Sequence, residues 1–264
     1  MSRIHAPELE DYDWFPTPLR DALTDMLRVS TTTLHVFDGA LPVIRDVLVE
    51  TGAERIVDLC SGGGGPLVSL LGSLERRHGL RVPVVLTDKF PNARAFALAE
   101  AERPGQVVGR RESTDATAVP EELSGLRTIF NALHHFPPEL ARSIFADAVR
   151  KRQPIASFEI VERTPWAAMM ISGTPLACAA FTPLAKPRTL SRFALTYAFP
   201  IIPAVMLWDG FASCLRAYSP AELEALVEGL GDDGYRFRVE RHRAAHLPIF
   251  VTSLVGMPTG RASR

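Results

Sequence analysis

The feature that most constrains this chain is a short run in which an apolar stretch ends on an acid and turns through glycine: Val57-Asp58-Leu59-Cys60-Ser61-Gly62-Gly63-Gly64-Gly65-Pro66. Leu67, Leu70, Leu71 and Leu74 follow at helical spacing, so the order is strand, glycine turn, helix. The rhythm continues. Residues 82–87, 106–110, 128–131 and 155–160 read as further strands, and residues 93–102 and 139–150 as helices. Strands alternating with helices predict an α/β fold with a parallel sheet and helices on both faces. The tail differs. Residues 235–241 and 249–255 read as strands separated by too few residues for a crossover helix, so they are expected to pair antiparallel.

Before the first strand, residues 1–54 read as a helical segment, with Leu19, Leu23, Met26 and Leu27, then Ile44, Val47 and Leu48, at helical spacing. Residues 55–163 and 219–264 are expected to form the core, and 164–218 an inserted cap. Twenty-nine basic against thirty acidic residues give a net charge of −1, which argues against a nucleic-acid partner. Cys60, Cys178 and Cys214 stand far apart without CxxC or CxxH spacing. A zinc site or disulfide framework is therefore not expected, and with no apolar run near Met1 a cytoplasmic protein is expected.

A glycine turn from strand into helix brings bare backbone N–H groups to a ligand. A triphosphate loop needs Gly-Lys-Ser/Thr, whereas Gly64-Gly65-Pro66 stands here. A dinucleotide fingerprint needs G-x-G-x-x-G; Gly62 and Gly64 fit, but Leu67 occupies the third position. Asp58 at the strand's end repels a pyrophosphate and suits a ligand bearing an ammonium or sulfonium. The run from Val57 to Gly64 resembles the first motif of class I S-adenosylmethionine-dependent methyltransferases, with Cys60 where the first glycine usually sits. That resemblance implies a Rossmann-like fold, a parallel sheet ending in an antiparallel hairpin, and S-adenosyl-L-methionine as cofactor. It implies that Asp58 acts near the methionine amino group while Cys60, Gly62 and Gly64 supply close backbone. Asp88, with Lys89 beside it, then falls where an acid accepts from the ribose hydroxyls. Asp115 and Ala116 fall where the adenine is met, and Asn131 at the exit of the fourth strand, where donor and acceptor meet.

Methyl transfer from a sulfonium needs alignment and, for a hydroxyl or protonated amine, a base. His134 and His135 just past the fourth strand, and Glu159 near the end of the fifth, are the candidates. Helix capping and packing account for the histidines equally well, and a salt bridge to Arg163 or a neighbouring basic residue for the glutamate. Trp208, Asp209, Arg216 and Tyr218 form a second polar-aromatic group, which suits either an acceptor pocket or a helix N-terminus at Asp209 with surface packing. His5, His35, His78, His242 and His246 fall at no ligand spacing and are expected on the surface or in the core.

Residues 164–185 and 193–208 are uncharged, and only Lys186, Arg188 and Arg192 carry charge between them. Their prolines argue against membrane spans. Three readings stay open: a buried layer or homodimer interface, a lid making a greasy acceptor pocket, or shallow membrane docking through the basic hinge. Together these features point to a methyltransferase for a small, lipophilic molecule. The alternatives are a silent protein that keeps the cofactor fold, or a membrane-docked enzyme for a lipid or quinone.

Overall fold

The computed structural model describes residues 2–62, 64–244 and 247–259; Gly63 and His246, named above, lie outside them. In chain order come helices α1 (Thr17–Thr33) and α2 (Leu41–Thr51), strand β1 (Ile56–Leu59), α3 (Gly65–His78), β2 (Val84–Leu86), α4 (Ala93–Glu102), β3 (Val107–Gly109) and β4 (Leu126–Phe130). Next are α5 (Pro138–Arg150), β5 (Ile155–Glu159), α6 (Pro165–Ser172), α7 (Thr174–Phe181), α8 (Leu190–Phe193), α9 (Ile201–Arg216), α10 (Pro220–Val227), β6 (Tyr235–Arg243) and β7 (Phe250–Pro258). The chain divides into two compact units, His35–Ile160 with Pro220–Arg264, and Met1–Leu34 with Val161–Ser219.

The first unit is α/β and Rossmann-like. Its sheet runs β3-β2-β1-β4-β5-β7-β6, parallel from β3 to β5. β7 then pairs antiparallel with both β5 and β6, giving the expected terminal hairpin with its second strand inserted next to β5. The chain winds outward through β2 and β3 on one side of β1 and through β4 and β5 on the other. This reversal between β1 and β4 is the place where open α/β sheets hold ligands, beyond the carboxyl ends of the strands. Strands β1, β4 and β5 are buried throughout, as a parallel sheet covered on both faces requires.

Local signals explain the helices. α3 opens at Gly65-Pro66, the ring of Pro66 needing no intrahelical donor, and ends on Gly79 at φ +65° with Arg76, Arg77 and His78 in its last turn. Asn92 caps α4 by accepting the Ala95 N–H at 3.0 Å. Val43, Ile44 and Val47 of α2 pack in the same apolar core as Ile56, Val84, Leu126, Phe158 and Phe96 of α4. The expected 1–54 segment is thus split after Leu34, because the apolar face of α2 belongs to the sheet's core. Strand β4 starts at Leu126 rather than Thr128. Arg127 lies inside it, 1% exposed, with a 2.8 Å bond from its guanidinium to the buried Asp147.

In the second unit, α1 and the 161–219 segment share a core built from Leu23, Met26, Cys178, Ile202 and Val205. Asp209 lies inside α9, not at a helix N-terminus, and accepts the Leu9 N–H at 2.7 Å. Burial raises its pKa to about 6. The Trp208 indole donates to the Pro7 carbonyl at 3.0 Å, Arg216 pairs with Glu8 and Asp11, and the Arg3 guanidinium sits over the Tyr218 ring. This polar-aromatic group therefore fastens the first residues of the chain to α9.

Candidate functional site

The sequence candidates Asp58, Cys60, Gly62, Gly64, Asp88, Lys89, Asp115, Ala116 and Asn131 all lie at or just beyond the carboxyl ends of β1 to β4. Parallel register aligns those ends: Asp58 pairs with Leu86 of β2 and with Thr128 of β4. Asp58 is 3% exposed. One of its oxygens accepts from Thr128 Oγ1 at 2.6 Å and the other from Ser61 Oγ at 2.7 Å. Burial nevertheless dominates and lifts its pKa to about 7, against the pull of those two hydroxyls. The Thr87 N–H and hydroxyl both donate to the Asp58 carbonyl, which locks β1 to the exit of β2.

The turn uses its own donors. The Gly62 N–H, at φ +52°, bonds Asp88 Oδ2 at 2.9 Å, and the Gly64 N–H bonds the Ser61 carbonyl at 2.9 Å. The expected bare N–H groups of Gly62 and Gly64 are thus occupied, because the acid after β2 and the curl of the turn satisfy them first. Gly64 has a packing role as well: a Cβ there would stand 3.1 Å from the Ala99 side chain of α4. Cys60 holds φ +55°, so the turn keeps a left-handed conformation at a residue with a side chain.

Asp88 is half-buried, and its second oxygen accepts the Phe90 N–H at 2.9 Å. Burial raises its pKa, opposed by these backbone donors. The Thr114 N–H donates to the Asp88 carbonyl and Ser113 Oγ to the Lys89 carbonyl, so the loop after β3 is tied to the loop after β2. Asp115 accepts from the Thr117 hydroxyl and N–H at 2.6 and 2.8 Å, which hold its pKa down, and pairs with Lys89 at 3.6 Å. Ala116 is buried beside it. The site is electrostatically one-sided. After burial, the charges of Asp88, Asp58 and Asp115 are what push the Cys60 thiol further up.

Beyond β4, Asn131 adopts φ +49°; its N–H donates to the Phe158 carbonyl at 2.7 Å and its side chain accepts the Ile160 N–H. Leu133–His135 form a 3-10 turn. The structure brings His134 and Glu159 together, with His134 Nδ1 2.6 Å from Glu159 Oε2, while Glu159 Oε1 accepts the Leu133 N–H at 2.8 Å. His134 is 1% exposed; His135 is only half-buried, its ring 4.4 Å from that of His134. The observed partner of Glu159 is thus this histidine. Sequence reasoning missed Thr128 and Ser61, the partners of Asp58. The signal for Thr128 is its place beside Asp58 on the neighbouring parallel strand, visible only once register is known.

Among solved structures the chain is similar to an O-methyltransferase from neocarzinostatin biosynthesis in complex with S-adenosylmethionine and 2-hydroxy-5-methyl naphthoic acid, at 15% identity over 87% of this chain and 56% of that one, TM-score 0.48. It is also similar to an O-methyltransferase family protein from Burkholderia thailandensis, at 17% identity over 96% and 62%, TM-score 0.49. A third is a SAM-dependent methyltransferase from Aquifex aeolicus, at 13% identity over 91% and 98%, TM-score 0.49. The chain therefore spans less than two thirds of the first two structures. No family model matches the chain, and no curated protein matches it.

Proposed function

We propose that this protein is an S-adenosylmethionine-dependent methyltransferase acting on a small, lipophilic molecule. The observation that supports this most is the use of the Gly62 N–H by Asp88. A turn that binds pyrophosphate needs such donors pointed at the ligand and no carboxylate among them. Here the donors of Gly62 and Gly64 are taken, and Asp58, Asp88 and Asp115 surround the turn with Lys89 as the basic partner of one of them. Such a surface favours a nucleoside with a cationic tail. The residues fit that group. Asp88 would accept from the ribose hydroxyls, Asp115 and Ala116 would meet the adenine, and the negative field of Asp58 would favour the ammonium and sulfonium.

When bound, the cofactor supplies an activated methyl on sulfur. What the chain must add is alignment and removal of a proton from the acceptor. In this reading His134 and Glu159 position the turn after β4, and His135, the more accessible of the two histidines, takes the proton. The lipophilic acceptor rests on the composition of residues 164–208, which contain no acid, and on the near-neutral charge that argues against nucleic acid. Incubation with S-adenosylmethionine and a panel of phenols, aryl acids and quinols, with release of S-adenosylhomocysteine read by mass spectrometry, tests the activity. Acceptor-dependent release supports it. Cofactor binding with no turnover on any acceptor favours a silent protein that keeps the fold.

A further inference from the structure

We propose that the stretch from Leu184 to Ile201 docks on a membrane surface rich in anionic lipid. Leu190 is 87% exposed and Phe199 66%, and Leu184, Tyr197 and Ile201 are exposed in the same stretch. One exposed leucine needs no explanation; five large apolar side chains in one short segment do. Among them lie Lys186 and Arg188, both exposed. Arg192, the third cation, is buried against Asp25 and takes no part in that surface. No acid occurs from Thr164 through Trp208, so the segment is locally basic in a chain whose net charge is −1.

An apolar protein partner would accept the leucines and aromatics but gives no reason for charge of a single sign. An anionic bilayer surface accepts both, with headgroups meeting the cations and the acyl boundary meeting the apolar side chains. The backbone favours a shallow wedge. Leu190–Ala198 and Ile201–Arg216 meet at a bend of 73°, and Phe199 sits in the break between them. Among the described residues no single helix is long and apolar enough to cross a membrane. The inference does not depend on the methyl donor.

Sedimentation of the full chain with vesicles tests it, using phosphatidylcholine alone and phosphatidylcholine mixed with phosphatidylglycerol. The protein should pellet with the anionic vesicles, and less so as salt is raised. Lys186→Gln with Arg188→Gln should weaken that binding roughly 25-fold, about fivefold for each charge. Leu190→Ser with Phe199→Ser should abolish it, and since these side chains are exposed, thermal melts of both variants should match the parent. Failure to pellet with anionic vesicles, or equal pelleting of parent and charge variant, overturns the proposal. So does a dimer in light scattering that Leu190→Ser with Phe199→Ser dissociates while vesicle binding is absent, since the occupant is then a second copy of this chain.

Discussion

His134 Nδ1 lies 2.6 Å from Glu159 Oε2, and both side chains are buried. With its other oxygen on the Leu133 N–H, Glu159 clamps the turn after β4 to the end of β5. A histidine held in this way is suited to positioning, which separates its consequences from those of its neighbour.

Glu159→Gln removes a charged partner from a buried hydrogen-bond pair, which costs about 1.5–3 kcal/mol. At about 2–4 °C per kcal/mol for a chain of this size, the thermal midpoint should fall by several degrees, and His134→Ala should behave alike. His135→Ala should leave the midpoint nearly unchanged and lower methyl transfer by roughly a hundredfold. The opposite assignment of the two histidines follows if His134→Ala abolishes turnover at an unchanged midpoint while His135→Ala has no effect on rate.

Asp58 gives the stability a pH dependence of definite sign. Its folded pKa of about 7 lies above the ordinary value of 3.8, so the folded state holds the proton more tightly. Stability contributed by this group therefore falls as pH rises from about 4 through about 7, and is flat above. Asp58→Asn removes that slope, and denaturant unfolding should show the variant gaining on the parent between pH 5 and pH 8. An unchanged difference at the two pH values would show that the carboxyl is already ionised at pH 5.

Cys60 is a side-chain-bearing residue at φ +55° in the turn. A left-handed non-glycine residue costs about 1–2 kcal/mol, and glycine gives part of that back as unfolded-chain entropy. Cys60→Gly is expected to hold stability or raise it by up to about 1 kcal/mol, and Cys60→Val, branched at Cβ, to lower it in urea unfolding. Because burial and three carboxylates push the thiol up, iodoacetamide should label folded Cys60 far more slowly at pH 8 than the unfolded chain. Rapid labelling of the folded protein would contradict the electrostatic picture of the turn.

Five parallel strands were legible as short, largely apolar runs between helical patterns; β1, β4 and β5 are buried throughout, whereas Val108 of β3 is exposed. Arg127 was not: a charge inside a strand reads as its boundary, and only Asp147, twenty positions on, explains it. The insertion of β7 between β5 and β6 was also out of reach, since local pattern fixes that two strands are antiparallel but not which neighbour each takes. At the site, the acids and glycines stood out by type and order. Their bonds did not. That Gly62 serves Asp88, that Asp58 rests on Thr128, and that Glu159 meets His134 all depend on register between elements distant in sequence. The assignment of residues 35–54 to the sheet unit is of the same kind, because helical spacing shows that α2 has an apolar face without showing what it covers.

Titration calorimetry of the intact chain with S-adenosylmethionine, S-adenosylhomocysteine and NADH tests the central claim most directly, with Asp88→Ala as the variant. The two sulfur nucleosides should bind, NADH should give no heat, and Asp88→Ala should weaken nucleoside binding about 10- to 150-fold, the loss of one hydrogen-bonding charged acceptor. Binding of NADH with no heat from either sulfur nucleoside would contradict the account.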